Sequence, residues 1–274
     1  MNIEDRDPAP VVPDEPESRS SAVQASDEAA ATPGKPGKKQ KKHLPVWQET
    51  ILLLGVALVL AIVIKALFIQ AFYIPSESME PGLVKNDRIL VEKPSYWLGG
   101  TPQRGDVVVF DDPGGWLDAE ESAGPTSGVG KLLAKVGLYP TGGHLVKRVI
   151  GVAGDTIKCC DDQGRLLVNG QPLNEKDYAK LDGQDCYGPM VDDCTKNWTI
   201  GPIPAGHLFV MGDNRSHSAD SSAHMCKPDE TDCTRNPYVD VDDVVGKVFT
   251  LLWPRDRFTF LHRPDTFADV PDPS

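Results

Sequence analysis

The chain has 274 residues and a formal net charge of -12, with 40% apolar side chains. That balance excludes nucleic acid as the main partner, because phosphate binding needs a basic stripe. The length suffices for one sizeable core or two joined lobes beside shorter elements.

Residues 1–46 are rich in Pro, Ser, Ala, Glu and Lys, with few large apolar side chains. Such a segment cannot bury enough surface to offset the entropy of ordering, so it reads as a disordered arm. Its one basic block is Lys35, Lys38, Lys39, Lys41 and Lys42, immediately before a long apolar run. By the positive-inside rule this block keeps the arm in the cytoplasm and sends everything after Tyr73 outside. A nucleic-acid tail is the alternative reading of the block. A cleaved secretory signal is a stronger alternative, but the preceding arm is long and the apolar core exceeds the roughly 7–15 residues usual there. Phe72-Tyr73-Ile74-Pro75 is also no small-residue cleavage site.

The apolar run predicts a transmembrane helix over 47–73. It is uncharged from Ile51 to Ile64, tolerates Lys65 near its outer end, and exceeds the about 20 residues needed to cross a bilayer. Residues 74–264 follow as an extracytoplasmic domain. Short β-branched runs there alternate with Gly, Pro, Asp and Asn, the pattern of an all-β protein. Strands are predicted at Arg88–Glu92, Asp106–Phe110, Leu145–Ile150, Asp155–Lys158, Leu166–Val168, Leu208–Met211 and Val244–Leu252. Asn169-Gly170 closes a predicted hairpin. Val244–Trp253 is too short for a second span and carries Lys247, so it reads as a buried strand. The fold class is therefore mainly β: an antiparallel β-sheet or barrel-like extracytoplasmic domain behind one N-terminal transmembrane helix. Two polar or Gly/Pro-rich stretches, near 111–143 and 174–202, read as surface insertions, the first with a helical turn or two at Lys131–Val136. Residues 265–274 read as a polar tail.

All six cysteines, Cys159, Cys160, Cys186, Cys194, Cys226 and Cys233, follow the anchor. An even count outside the cytoplasm favours disulfides. Cys186 with Cys194, and Cys226 with Cys233, would close short loops; Cys159 and Cys160 bond each other or reach elsewhere. Zinc held by His224, Cys226 and Cys233 is the alternative, without a repeated C-x-x-C spacing to support it.

Ile74-Pro75-Ser76-Glu77-Ser78-Met79-Glu80-Pro81 puts two hydroxyls and a rigid turn just beyond the anchor. A serine that attacks an amide needs a base, donors for the developing oxyanion and a rigid backbone. No G-x-S-x-G elbow or H-E-x-x-H is present, and the six histidines sit in dissimilar contexts. Lysine can serve as the base if burial lowers its pKa by about 3 units from about 10.4, at roughly 4 kcal/mol. In Leu145–Ile150 the strand period of two puts Lys147 on the face of Leu145 and Val149, and Arg148 on that of Val146 and Ile150. A lysine snorkelling from an edge strand is the bland reading of the same pattern.

Four blocks resemble those of bacterial type I signal peptidases, membrane-bound Ser-Lys enzymes that remove signal peptides. Ile74–Pro81 is similar to the nucleophile box, Arg104–Phe110 to the strand that follows, Leu145–Asp155 to the lysine box, and Met211–Ser221 to the last box. The resemblance implies Ser78 as nucleophile and Lys147 as general base. The Ser78 amide and the Ser76 hydroxyl would form the oxyanion site, and Met79 the floor of the substrate cleft. It further implies that Ser218 orients the lysine, that Arg148 and Asp213 pair, and that Asp220 supports their loop. Asp213-Asn214-Arg215 also reads simply as a turn.

Three positions depart from the family pattern: Gly82 stands for Thr, Ala153 for Pro, and Ser222 for the Arg that would pair with Asp220. The implied reaction is amide hydrolysis through an acyl-enzyme, without metal or organic cofactor. The implied partners are the lipid bilayer and exported preproteins with small residues at the minus-three and minus-one positions. A membrane-anchored β-domain that binds envelope partners without catalysis is the rival reading.

Overall fold

The computed structural model describes residues 45–97, 99–117, 128, 143–180, 198–226 and 236–273. Most of the arm, the segment Lys131–Val136, and Cys186, Cys194 and Cys233 lie outside the described residues. The chain divides after Val46 into two units, and the elements below belong almost entirely to the second, Trp47–Ser274.

Helix α1, Val46–Phe68, has 23 residues and so a length of about 35 Å at 1.5 Å per residue. That exceeds the roughly 30 Å hydrocarbon thickness of a bilayer. Its side chains from Ile51 to Ile64 are exposed all round. A helix that is apolar and exposed on every face over this stretch has the surface of one solvated by lipid.

The helix stops five residues short of the 47–73 expected. Ile69–Tyr73 is strand β1, paired antiparallel with β2, Arg88–Glu92, in the register Ile69↔Glu92 to Tyr73↔Arg88. Apolar runs of this length do not distinguish helix from strand. Here Pro75 biases Ile74 toward extended backbone, and β2 pairs with the chain in register from Ile69 to Tyr73. The backbone is thus already extended where it reaches the serines.

The other strands are β3 (Val107–Asp111), β4 (His144–Gly151), β5 (Ile157–Cys159), β6 (Leu166–Val168), β7 (Gln171–Pro172), β8 (Trp198–Ile200), β9 (His207–Met211), β10 (Val239–Asp240), β11 (Val244–Trp253) and β12 (Thr259–Phe260). Among the described residues they form two antiparallel sheets. The larger runs β1-β2-β11-β3-β4-β9-β10 with β12 on β11, and the smaller runs β7-β6-β5-β8. The Asn169-Gly170 turn forms as expected. Both residues have positive φ, 51° and 83°, as the tight turn between β6 and β7 requires.

Strand β3 is central and buried on both faces. Val107 and Val109 enter an apolar cluster with Phe72, Ile74, Met79, Val91 and Val248. Val108 and Phe110, one residue out of phase, enter another with Leu145, Val149 and Val210. Ile74 and Met79 flank the two serines, so the core itself holds the serine segment at both ends.

Three segments read as surface pieces are more embedded than their composition suggests. Asn174–Lys180 is packed, with Glu175 and Tyr178 buried, and Trp198–Ile200 supplies β8. In the first expected insertion Trp116 is buried. The tail is docked rather than free: Phe267 and Val270 join the cluster of Ile150, Leu166 and Phe209. Asn169 Nδ2 also donates to the Pro271 carbonyl at 2.9 Å. Two large apolar residues among ten give too weak a period to predict this. Cys159 is bonded to Cys160, and Cys226 is disulfide-bonded as well, so it is no thiolate ligand for zinc.

Candidate active site

Residues Ile74 to Leu83 make a tight reversal off the end of β1. The Ile74 amide donates to the Asp87 carbonyl at 2.9 Å, Glu80 N to Glu77 O at 3.1 Å, and Leu83 N to Met79 O at 2.9 Å. Ser78 sits at the centre of this turn and is 7% exposed. Its Oγ lies 2.6 Å from Lys147 Nζ on β4 and 3.2 Å from Ser76 Oγ. Lys147 is 4% exposed, with Val108 of β3 opposite it in register. The amine therefore does not snorkel to water.

Arg148, the next residue, turns the other way. It forms a bidentate pair with Asp213, Nε to Oδ1 at 2.8 Å and Nη2 to Oδ2 at 2.7 Å, and Nη1 donates to the Gly105 carbonyl at 2.8 Å. Its guanidinium lies 4.5 Å from the centre of the Tyr178 ring. Burial works against the Arg148 charge, but the Asp213 carboxylate more than offsets it and holds the guanidinium pKa above its ordinary value. The pair clamps β4 to the segment after β9 from the side away from the lysine.

Ser218 Oγ donates to Asp220 Oδ2 at 2.5 Å, and the same oxygen accepts the Gly212 amide at 2.8 Å. The other carboxylate oxygen accepts the Ser222 amide at 3.0 Å and the Ser222 hydroxyl at 2.6 Å. Buried Asp220 is thus held by four neutral donors, two of them from the serine that stands where the family has arginine. Hydrogen bonds to a carboxylate can stabilise it without a cation.

Sequence reasoning allowed a simple turn at Asp213-Asn214-Arg215 beside the pairing of Asp213, and passed over what Gly212 and Asn214 do. The Asn214 amide donates to the Ser78 carbonyl at 3.0 Å, and its Nδ2 donates to the Glu77 carbonyl at 3.1 Å. Both peptide planes flanking Ser78 are pinned by one buried residue. Fixing the Glu77 carbonyl also fixes the Ser78 N–H, because the two belong to one planar peptide. Gly212 is squeezed against the same place: a Cβ there would collide with the Ser218 hydroxyl and the Ser78 carbonyl. No periodicity or composition signals such a close approach.

A second buried pair braces this loop from beneath. Arg215 donates from Nη2 to Glu175 Oε1 at 2.6 Å and from Nε to the Gly212 carbonyl at 2.9 Å. Tyr178 OH donates to the same Glu175 oxygen at 2.9 Å. Burial, and then the Glu175 charge, push the Tyr178 phenol well above its usual pKa, so it stays a neutral donor. Residues Ala179 and Lys180 bridge Pro81 on one side and Asn214 on the other. This strap ties the turn that carries Ser78 to the segment after β9.

A cleft of about 400 Å³ opens over these groups, lined among others by Phe72, Ile74, Ser76, Ser78, Met79, Trp116, Leu145 and Lys147. The volume is in the range of small-molecule and peptide sites. Among the described residues no group of three or more His, Cys, Asp or Glu side chains could hold a metal ion.

Residues 47–253 match the family model described as signal peptidase, peptidase S26. Signal peptidase I of Mycobacterium tuberculosis is 37% identical over 249 residues, covering 85% of this chain and 80% of that protein. The probable signal peptidase I of Mycobacterium leprae is 37% identical over 240 residues, 80% of each chain. Signal peptidase I of Leptolyngbya laminosa is 32% identical over 235 residues, covering 86% of this chain and 94% of its own. With most of its length inside the family model, and relatives that align over most of theirs, the chain belongs to the signal peptidases of type I, peptidase family S26.

Proposed function

We propose that the enzyme removes signal peptides by a Ser78–Lys147 dyad working through an acyl-enzyme. The observation that carries this reading is the 2.6 Å contact between Lys147 Nζ and Ser78 Oγ, both buried, at the base of the cleft. Neutral Lys147 takes the Ser78 proton as Oγ attacks the scissile carbonyl carbon. The carbonyl oxygen becomes an oxyanion that the Ser78 amide and the Ser76 hydroxyl face. Lys147, now protonated, gives the proton to the leaving amine, and the signal peptide remains as an ester on Ser78. Lys147 then takes a proton from a water that attacks the ester carbonyl, and returns it to Ser78 Oγ as the bond to the acyl carbon breaks, releasing the signal peptide acid.

Ser218, held by Asp220, orients the lysine; Arg148 and Asp213 fix the strand that carries it; Met79 forms part of the cleft floor. Their burial and mutual contacts support these supporting roles, since a dyad is only as well placed as its surroundings hold it.

The substrates are preproteins bearing signal peptides. We assign the arm to the cytoplasm, α1 to the bilayer and residues 74–264 to the outer side, on the basic block at Lys35–Lys42 and the apolar surface of α1. Exposed Leu252, Trp253, Phe258 and Phe260 beside the nucleophile end of β1 and β2 suit a lipid surface close to the cleft. Confinement of enzyme and signal peptide to one membrane raises their effective concentration without new contacts.

The test is cleavage of a synthetic signal-peptide substrate by the purified enzyme and by Ser78→Ala. Loss of turnover in the variant is the expected result. Equal turnover in both would favour the non-catalytic reading of Ser78.

A further inference from the structure

Trp116 comes from none of the four boxes, yet it lines the cleft that holds Ser78 and Lys147. The loop that delivers it is folded about one carboxylate. Asp112 Oδ1 accepts the amides of Gly114 at 3.1 Å and Trp116 at 3.0 Å, and Oδ2 accepts that of Leu117 at 3.4 Å. The indole is then gripped from two elements. Phe110 on β3 meets it edge-on, with ring centres 6.0 Å apart and planes at 90°, and His224 stacks face to face at 4.5 Å with planes 6° apart. His224 is itself anchored, since its Nδ1 lies 2.8 Å from the Asp220 carbonyl oxygen, which only accepts, so Nδ1 donates. Asp220 is the residue whose carboxylate holds Ser218. A large ring packed on two sides by neighbours that are themselves fixed cannot swing aside without opening a void.

We propose that Trp116, pinned by His224, is a specificity-determining residue: a fixed wall that limits the size of one substrate side chain on the acyl side of the scissile bond. The inference rests on the Ser78–Lys147 reading. In that reading the substrate's carbonyl carbon bonds to Ser78 Oγ, and the residues before it run back into the cleft that Trp116 lines. A rigid aromatic wall there admits alanine-sized side chains and rejects leucine-sized ones. Selection by apolar fit is worth about 10–200-fold per methylene, so opening the wall should be readable.

The experiment compares kcat/KM of the full-length enzyme on signal-peptide substrates carrying Ala or Leu at the minus-one or the minus-three position. It uses the unaltered enzyme, Trp116→Ala, Trp116→Phe, His224→Ala and Ser78→Ala. The expected result is a Leu-to-Ala ratio raised at least about tenfold at one of the two positions in Trp116→Ala, with smaller rises in the other two cleft-wall variants. A ratio unchanged at both positions, or an equal fall on every substrate, would overturn the inference. Should Trp116→Ala fail to fold by circular dichroism, Trp116→Phe and His224→Ala decide by the same ratio. Ser78→Ala separates the two levels: cleavage persisting there sinks the dyad, whereas its loss with an unchanged ratio in the Trp116 variants sinks this inference alone.

Discussion

At the scale of single residues, the contrast between Lys147 and Arg148 shows how neighbours on one strand acquire opposite tasks. Alternation along β4 sends the Lys147 amine to a buried hydroxyl and the Arg148 guanidinium to a carboxylate that keeps it charged. Replacing Lys147 by Arg retains a cation that cannot be deprotonated, so turnover should fall to background; substantial activity would remove lysine as the base. Asn214→Ala tests the hold on the nucleophile. It frees the Glu77 and Ser78 peptides, and a misplaced nucleophile and oxyanion donor should cost about 10²-fold in kcat with KM little changed. Equal losses in affinity for an unreactive product peptide would show that Asn214 serves binding instead. Ser78 and Lys147 were singled out by the resemblance of their blocks to a family rather than by local pattern, in which Lys147 reads equally as a snorkelling lysine; the structure adds their 2.6 Å contact. Gly212, Asn214 and Trp116 were not singled out, because what each does depends on a chain segment remote in sequence.

At the scale of elements, the site is assembled where the turn after β1, the middle of β4 and the loop after β9 meet. Two buried ion pairs hold the joint, Arg148 with Asp213 and Arg215 with Glu175. Removing one partner of such a pair leaves an uncompensated buried charge and costs about 3–5 kcal/mol. Asp213→Ala should therefore lower the midpoint of thermal or urea unfolding markedly, whereas a shift within error would mean the pair is solvated in solution. Most strands were readable from their β-branched runs and turns. β1 was not, since its apolar residues continue those of α1 without a break in composition. β8, β10 and β12 have only two or three residues each, and unlike equally short β6 none is flagged by a tight Asn-Gly turn beside it.

For the molecule as a whole, the chain after Tyr73 closes on itself through its last residues. Arg104 pairs with Asp155 through Nε at 2.7 Å and Nη2 at 2.6 Å, and Asp155 also accepts from Asn169, whose other amide hydrogen holds the tail. Deleting residues 265–274 uncovers Phe267's and Val270's places in the core. By the cost of emptying buried apolar sites, that should destabilise the folded domain by roughly 3–5 kcal/mol, measured by urea unfolding. A tail that was merely polar and loose would be removed with no change. Residues 265–274 read as a polar tail because charge and proline dominate their composition, while of the two side chains that dock Phe267 ends a 3₁₀ turn and Val270 lies beyond it.

The measurement closest to the central claim is the pH dependence of kcat/KM for the full-length enzyme on a signal-peptide substrate. Because the lysine must be neutral to accept the Ser78 proton, activity should rise with pH along an acidic limb and level off above the pKa of the base. The account predicts a midpoint well below the about 10.4 of an unperturbed lysine. A limb centred at or above that value would mean the amine keeps its solution basicity, and the dyad mechanism would be contradicted.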